Sequence, residues 1–203
     1  MEMERKKVKK EKEMKIILAS NSPRRKELLG GLGVDFEVKV LKGVDESFPG
    51  TLPAREVAEY IAREKSAAYS AGDGELLITA DTVVIVGDDI LGKPKDAADA
   101  RRMLHEISGK THQVVTGVCL ATAAERRSFS VSTDVTFKTL SDAEIDYYVE
   151  NFRPFDKAGA YGIQEWIGYI GVTALCGSYY NVMGFPVQRV YEELTAYFGL
   201  KIG

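Results

Sequence analysis

Cysteine, histidine and tryptophan are scarce in this 203-residue chain, with two, two and one of each. Two cysteines, Cys119 and Cys176, cannot build a disulfide framework, and no CxxC pair is present. Both stand in apolar runs and are expected to be core thiols. His105 and His112 lack metal-ligand spacing, so they read as structural or exposed residues. Long apolar runs are missing as well, and none approaches the roughly 20 residues of a membrane-spanning helix. The N-terminus has no apolar core of a signal peptide. Nor is there an excess of basic charge: 27 Lys and Arg face 30 Asp and Glu, a net charge of -3 that offers nucleic acid no general attraction. Internal repeats and linker-like stretches are absent too, and the length suits one domain. The expectation is a cytoplasmic protein with no nucleic-acid or membrane partner.

Residues 1–13, MEMERKKVKKEKE, hold six basic and four acidic side chains. This segment reads as a flexible, solvated lead-in upstream of a start at Met14, because charge runs rarely order themselves. The competing reading is a basic arm for an anionic partner. Beyond it the chain carries 21 basic and 26 acidic side chains. Residues 14–203 are therefore expected to form a single acidic domain.

From Met14 onward, short apolar runs alternate with helical periods. Lys15–Ala19 is a strand candidate, followed by a helix from Pro23 to Gly30 with Ser22 as N-cap and Pro23 at the first position. A second strand is predicted over Asp35–Leu41 and a long helix over Pro53–Ser70. Leu76–Ala80 reads as a buried strand stopping at Asp81, and Thr82–Val86 with Asp89–Leu91 as a hairpin about Gly87-Asp88. A helix over Asp96–Ile107 precedes two long strands, His112–Thr122 and Arg126–Lys138. Ser141 and Glu144 form a capping-box pattern before the next helix. Asp156–Gly184 is glycine-rich and irregular, and Pro186–Phe198 closes the chain as an amphipathic helix. The pattern is α/β with a mixed β-sheet, since βαβ and hairpin connections both occur.

Chemistry concentrates at a few junctions. In Ser20-Asn21-Ser22-Pro23-Arg24-Arg25 a helix N-terminus, two arginines and hydroxyl donors suit a phosphate chain, although a capped surface helix explains the same residues. Ser108-Gly109-Lys110-Thr111 has the tail of a Walker A loop. Its first required glycine is Leu104, however, and a helix leads into it rather than a strand. Asp81, at the edge of a buried strand, could bind a divalent cation or draw a proton from water; a turn-forming Asp is the plain alternative. Lys93, held extended by Pro94, could return towards it across the hairpin. Asp45-Glu46 offers more carboxylates, and Lys65 lies among alanines on its helix. Gln164 ends Asp156–Gln164, a stretch whose glycines let backbone approach a ligand closely. Its amide can pair with the O4 acceptor and N3–H donor of uracil or thymine, whereas cytosine presents the opposite pattern. Trp166 and its neighbouring tyrosines could stack on a base but read first as packing. Ser178–Gly184 reads as a structural turn.

Together the segments LASNSPRRKELL, GVDE, ITADTVV, LGKP, SGKTHQVVTGV, DKAGAYGIQ and GSYYNVMGFPV resemble the Maf family of nucleotide pyrophosphatases in order and spacing, from about Met14 to Phe198. DKAGAYGIQ resembles the dTTP/UTP branch rather than the 7-methyl-GTP branch. The resemblance implies a mixed sheet in two lobes with a central cleft, similar to inosine-triphosphate pyrophosphatases. It also implies hydrolysis of a nucleoside triphosphate to the monophosphate and pyrophosphate with a divalent cation, Mg²⁺ or Mn²⁺. Asp81 falls on the family's proton acceptor. Arg24, Thr82 and Gln164 fall on positions linked to base selection, and Ser20, Arg25, Glu46, Lys65 and Lys93 on polar cleft positions. In chemical terms, Asp81 and Glu46 would hold the metal or activate water. Arg24, Arg25, Lys65 and Lys93 would carry the triphosphate, and Gln164 with Thr82 would read the base. Glu165-Trp166 departs from the family pattern, which more often has a small residue there. A homodimer is compatible with the resemblance, with no interface legible in the sequence. Two other functions stay open: a house-cleaning pyrophosphatase for inosine or xanthosine triphosphate, and a non-catalytic nucleotide-binding regulator of septum formation.

Overall fold

The structure, a computed structural model, describes residues 14–202. The charged segment 1–13 lies outside the described residues. Its first elements follow the sequence closely: β1 (Lys15–Leu18), α1 (Pro23–Gly30), β2 (Phe36–Val38), α2 (Ala54–Ala67), β3 (Glu75–Val86) and β4 (Asp89–Leu91). Then come α3 (Ala97–Ile107), β5 (Thr111–Ala121), β6 (Arg126–Phe137), α4 (Asp142–Phe152), α5 (Trp166–Gly171), β7 (Val172–Cys176), α6 (Tyr179–Val182) and α7 (Val187–Glu192). All the strands join one mixed sheet in the order β2-β1-β3-β5-β6-β7, with β4 also paired to β3. β1 runs parallel to β2 and β3, and the remaining pairings are antiparallel.

Three long strands, β3, β5 and β6, make the sheet's centre, and side-chain alternation gives each of its faces a core. On one face the Val57, Ala58 and Ile61 stripe of α2 meets Val83, Ile85 and Val115. That contact is close because β5 carries Gly117 beneath the helix: a Cβ there would lie 2.3 Å from the Ala58 carbonyl carbon and the Glu59 nitrogen. The opposite face is covered in two parts. Leu104 and Ile107 of α3 pack with Ile145 and Tyr148 of α4 and with Val84, Val114 and Phe137. At the other end Leu29, Phe185, Val190 and Leu194 cover Ile16, Leu18, Ile78 and Val118.

Several expectations need correction. Leu76–Ala80 does not stop at Asp81: β3 runs without interruption to Val86, because β5 supports it residue by residue from Leu77 to Ile85. What is interrupted around Asp81 is pairing on the other edge. There β1 reaches only Glu75–Ile78 and β4 only Val84–Val86. A notch in the sheet results, bounded by β1 and β4, and this is where the expected cleft lies. The second strand shrinks from Asp35–Leu41 to three residues, since β1 is too short to pair with more. The Asp156–Gly184 stretch, expected to be irregular, contains α5 and the edge strand β7. Cys176 lies on that edge and is exposed, so only Cys119 is a core thiol. The closing helix changes character after Glu192, where Glu193–Tyr197 forms a wider π-type turn with Glu193 buried between Arg127 and Arg189.

Candidate active site

The notch opens into a cleft of about 440 Å³, within the usual range for a small-molecule site. Ser20, Arg24, Arg25, Glu46, Lys65, Asp81, Thr82, Lys93 and Gln164, all expected from the sequence, line it. Ser108–Thr111, the segment with a Walker-like tail, is not among the lining residues.

Strand alternation divides the neighbours Asp81 and Thr82 between the two faces of β3. Asp81 points to the α2 side, beside Thr79, whose hydroxyl donates to the Ala62 carbonyl of α2 at 2.6 Å. From α2, Lys65 Nζ lies 2.8 Å from Asp81 Oδ1 and 2.8 Å from Glu46 Oε1. One ammonium therefore bridges two carboxylates from segments far apart in sequence. Burial works to raise the Glu46 pKa, but the Lys65 hydrogen bond and the charges of Lys65, Lys93 and Arg25 hold it below the usual carboxylate range. Lys93 stands exposed at the rim just after β4.

Thr82 faces the other way. Its hydroxyl accepts from Arg25 Nη2 at 3.1 Å and is 3.0 Å from the Thr116 hydroxyl. Arg25 also donates from Nε to the Gly184 carbonyl at 2.8 Å, and from Nη1 to the Ala80 carbonyl at 3.0 Å and to Ser20 Oγ at 3.4 Å. The Ala80 carbonyl belongs to the notch edge that no strand covers, so Arg25 satisfies backbone that would otherwise stand unpaired. Burial pushes the Arg25 pKa down, and the Asp81 carboxylate opposes that shift. Ser22 caps α1 by accepting from the Arg25 N–H, and Pro23 occupies the first turn.

Arg24, one residue away on the same helix, reaches across the cleft. Its Nη1 pairs with Asp156 Oδ2 at 2.9 Å and its Nε donates to the Met183 carbonyl at 3.3 Å. Burial works to raise the Asp156 pKa, but hydrogen bonds from Lys157 and Arg24 hold it low. Asp156 and Lys157 line the cleft and were overlooked as site residues, although they open the DKAGAYGIQ segment. A charged pair at the start of a glycine-rich ligand loop was the available signal.

Gln164 lines the cleft, with Oε1 buried and without a hydrogen-bond partner. An orphaned amide oxygen of this kind costs about 1–3 kcal/mol unless something donates to it. Tyr161 lines the cleft too, and its hydroxyl is 2.7 Å from Nε2 of the buried His112. Burial holds His112 down to about 4. Of the other weighed residues, His105 is exposed, and Trp166 packs its ring 4.7 Å from that of Tyr147. Asn181 is buried and bonds to the Val114 carbonyl and Thr133, a structural role as expected.

The cations of the lining can hold an anionic chain, and its donor–acceptor amide can pair with a planar polar group. Among the described residues no group of three or more His, Cys, Asp or Glu side chains converges on a point. A cation at Asp81 and Glu46 would therefore need further oxygens from its substrate, as Mg²⁺ sites on nucleotides commonly have. No helix among the described residues is long and apolar enough to cross a membrane.

The chain resembles known proteins along most of its length. The model of a family described as Maf-like protein matches residues 15–197. A dTTP/UTP pyrophosphatase of Phocaeicola vulgatus is 62% identical over 182 residues, covering 89% of this chain and 94% of its own. That of Bacteroides thetaiotaomicron is 58% identical over 181 residues, covering 88% and 94%. Among solved structures, a HAM1 protein from Coxiella burnetii aligns at a TM-score of 0.47 and 14% identity, covering 90% of this chain and 99% of that one.

Proposed function

Because this chain belongs to the Maf-like protein family, we propose that it hydrolyses UTP and dTTP, and modified pyrimidine relatives of them, to the monophosphate and pyrophosphate. The relatives named as dTTP/UTP pyrophosphatases support the substrate class. The observation that carries the reading is one cleft lined both by the Lys65–Asp81–Glu46 bridge and by Gln164 with its unpaired amide oxygen. A triphosphate needs charged partners and a base needs a donor–acceptor amide, and the lining holds both kinds of group.

In this reading a water attacks the α-phosphorus, the bond to the bridging oxygen breaks, and pyrophosphate leaves. Asp81 accepts the water's proton, and Lys65 keeps that carboxylate aimed. The carboxylate oxygens of Asp81 and Glu46 suit a hard divalent cation and would be the residues that hold one; when bound, such an ion would supply neutralisation of phosphate charge and Lewis acidity. Lys93 and Arg24 meet the outer phosphates. Arg25, assigned to the triphosphate from sequence alone, has most of its donors on protein acceptors. We give it the task of holding α1, β3 and the Gly184 loop together, with Thr82 and Ser20 as its partners. Gln164 Oε1 accepts from N3–H of uracil or thymine. Cytosine offers a lone pair there and leaves the oxygen orphaned, which is a strong basis for rejection. The reaction belongs to residues 14–203 as one domain. We also propose a cytoplasmic setting and a homodimer.

Pyrophosphate release from UTP, dTTP, CTP, GTP, ITP and 7-methyl-GTP, with and without Mg²⁺ or Mn²⁺, tests this. Metal-dependent turnover of UTP and dTTP well above the others is expected. Preference for ITP would place the chain among house-cleaning enzymes, and no turnover at all would favour a binding role.

A further inference from the structure

Behind Gln164 runs a continuous chain of charged and polar side chains. Asp156, paired to Arg24 through Oδ2, accepts from Lys157 Nζ at 2.7 Å through Oδ1. The same ammonium lies 3.0 Å from Glu165 Oε1. The Tyr148 hydroxyl donates to Glu165 Oε2 and in turn accepts from the Gly162 N–H at 3.0 Å. The Glu165 N–H closes a turn on the Gly162 carbonyl at 3.0 Å. Gln164 therefore sits in a loop whose two flanking residues are tied to one tyrosine.

The burial of these groups is unusual. Lys157 is 8% exposed and Tyr148 is fully buried. Charged side chains are rarely placed so deep unless paired. Burial, and next to it the Glu165 hydrogen bond, push the Tyr148 pKa up, so the hydroxyl remains a donor to the carboxylate. Three side chains also converge above Gly162. A Cβ at that position would lie 3.0 Å from Glu165 Cδ, 3.1 Å from Gln164 Nε2 and 3.1 Å from Lys157 Cε. Both being within 3.1 Å of that one point, the Glu165 carboxyl carbon and Gln164 Nε2 are within about 6 Å of each other without a direct hydrogen bond, close enough for the charge to act on the amide dipole, while Oε1 is buried and unpaired.

That placement bears on selectivity. A glutamine amide turned over about its last torsion exchanges donor for acceptor and would then suit cytosine as well as it now suits uracil. The carboxylate of Glu165 favours the NH₂ group on its own side and disfavours the amide oxygen there. We infer that Glu165, Tyr148 and Lys157 are positioning residues that hold the Gln164 amide in one sense, so that the choice between uracil-type and cytosine-type nucleotides depends on side chains behind the base reader. This rests on Gln164 reading the base.

The test is kcat/KM for UTP and for CTP, with thermal melting, in the wild type, Gln164→Ala, Glu165→Gln, Tyr148→Phe and the Gln164→Ala/Glu165→Gln pair. Glu165→Gln keeps an acceptor for Tyr148 and removes only the charge. Glu165→Gln and Tyr148→Phe are each expected to lower the UTP:CTP ratio about tenfold or more, and the double variant to match Gln164→Ala alone, as coupled residues do. A merely structural role would lower both substrates alike and leave the ratio unmoved. If Gln164→Ala collapses the ratio while the other single variants preserve it, the positioning inference is wrong and base reading stands. If Gln164→Ala preserves the ratio, base reading fails and the inference with it. Should Tyr148→Phe not fold, the part-buried Glu165→Gln decides the matter.

Discussion

Replacing Gly117 by alanine should disable the site from beneath, without touching any group that lines it. Gly117 lies on β5 opposite Asp81, with α2 crossing directly over it. The added methyl would lie 2.3 Å from backbone atoms of Ala58 and Glu59. Backbone cannot rotate away, so α2 must recede by about 1 Å to reach an ordinary carbon–carbon separation of about 3.5 Å. Lys65 rides on the same helix, two turns further along. Its two 2.8 Å contacts, to Asp81 and Glu46, would open by a comparable amount and pass out of hydrogen-bond range. Overpacking of this kind costs about 1–3 kcal/mol of stability, and misplacing a reacting group by about 1 Å can cost on the order of 100-fold in rate. Purified Gly117→Ala should therefore melt several degrees lower yet remain folded at 25 °C. UTP turnover should fall far more than the lost folded fraction explains. Wild-type turnover together with wild-type melting would refute the reasoning, since it would mean α2 does not press on Gly117.

The other predictions concern single groups. Asp81→Asn should lower kcat on the order of 1,000-fold with little change in melting temperature, as expected for loss of a general base; unchanged kcat at saturating Mg²⁺ would remove Asp81 from that role. Arg25→Lys should cost about 3 kcal/mol in urea unfolding, because a lone ammonium cannot reach the acceptors at Gly184, Ala80 and Thr82 together. A loss confined to substrate binding would instead return Arg25 to the triphosphate. His112, depressed to about 4 when folded, binds its proton more readily unfolded, so its contribution is complete above about pH 6.5 and is lost as pH falls towards 4. Between pH 7 and 5 the loss should be about 2 kcal/mol, and unfolding of a folded His112→Phe variant should lack that slope. An equal slope in both proteins would rule His112 out.

Much of the site was legible as residue types at junctions. Ser22-Pro23 marked the start of α1, and the unlike chemistries of Asp81, Lys65 and Gln164 stood out against apolar or glycine-rich surroundings. The Ser141–Glu144 capping box appears as expected, with both of its hydrogen bonds formed. Less visible were the edge strand β7, only five residues long and with no buried residue to mark an alternating face, and the ionic chain through Asp156, Lys157 and Glu165. Lys157 and Glu165 are eight residues apart in sequence, and the tyrosine bonded to Glu165 comes from α4. Arg25 shows the limit most clearly: an arginine at a helix N-terminus invites an anion, and nothing in the neighbouring residues shows that its donors are spent on Ala80, Thr82 and Gly184.

By itself, the sequence determined the strand and helix alternation, the helix starts and the set of polar residues that line the cleft, because those depend on local periodicity, capping and side-chain chemistry. Tertiary structure decided where they act. β1 and β4 leave the same edge of β3 uncovered between Ile78 and Val84, and that gap between two short partners is what becomes the cleft. Strand alternation then sends Asp81 to α2 and Thr82 to Arg25, while Gly117 lets α2 approach closely enough for Lys65 to bridge two carboxylates. Each of these depends on the register between segments distant in the chain, which no local pattern encodes.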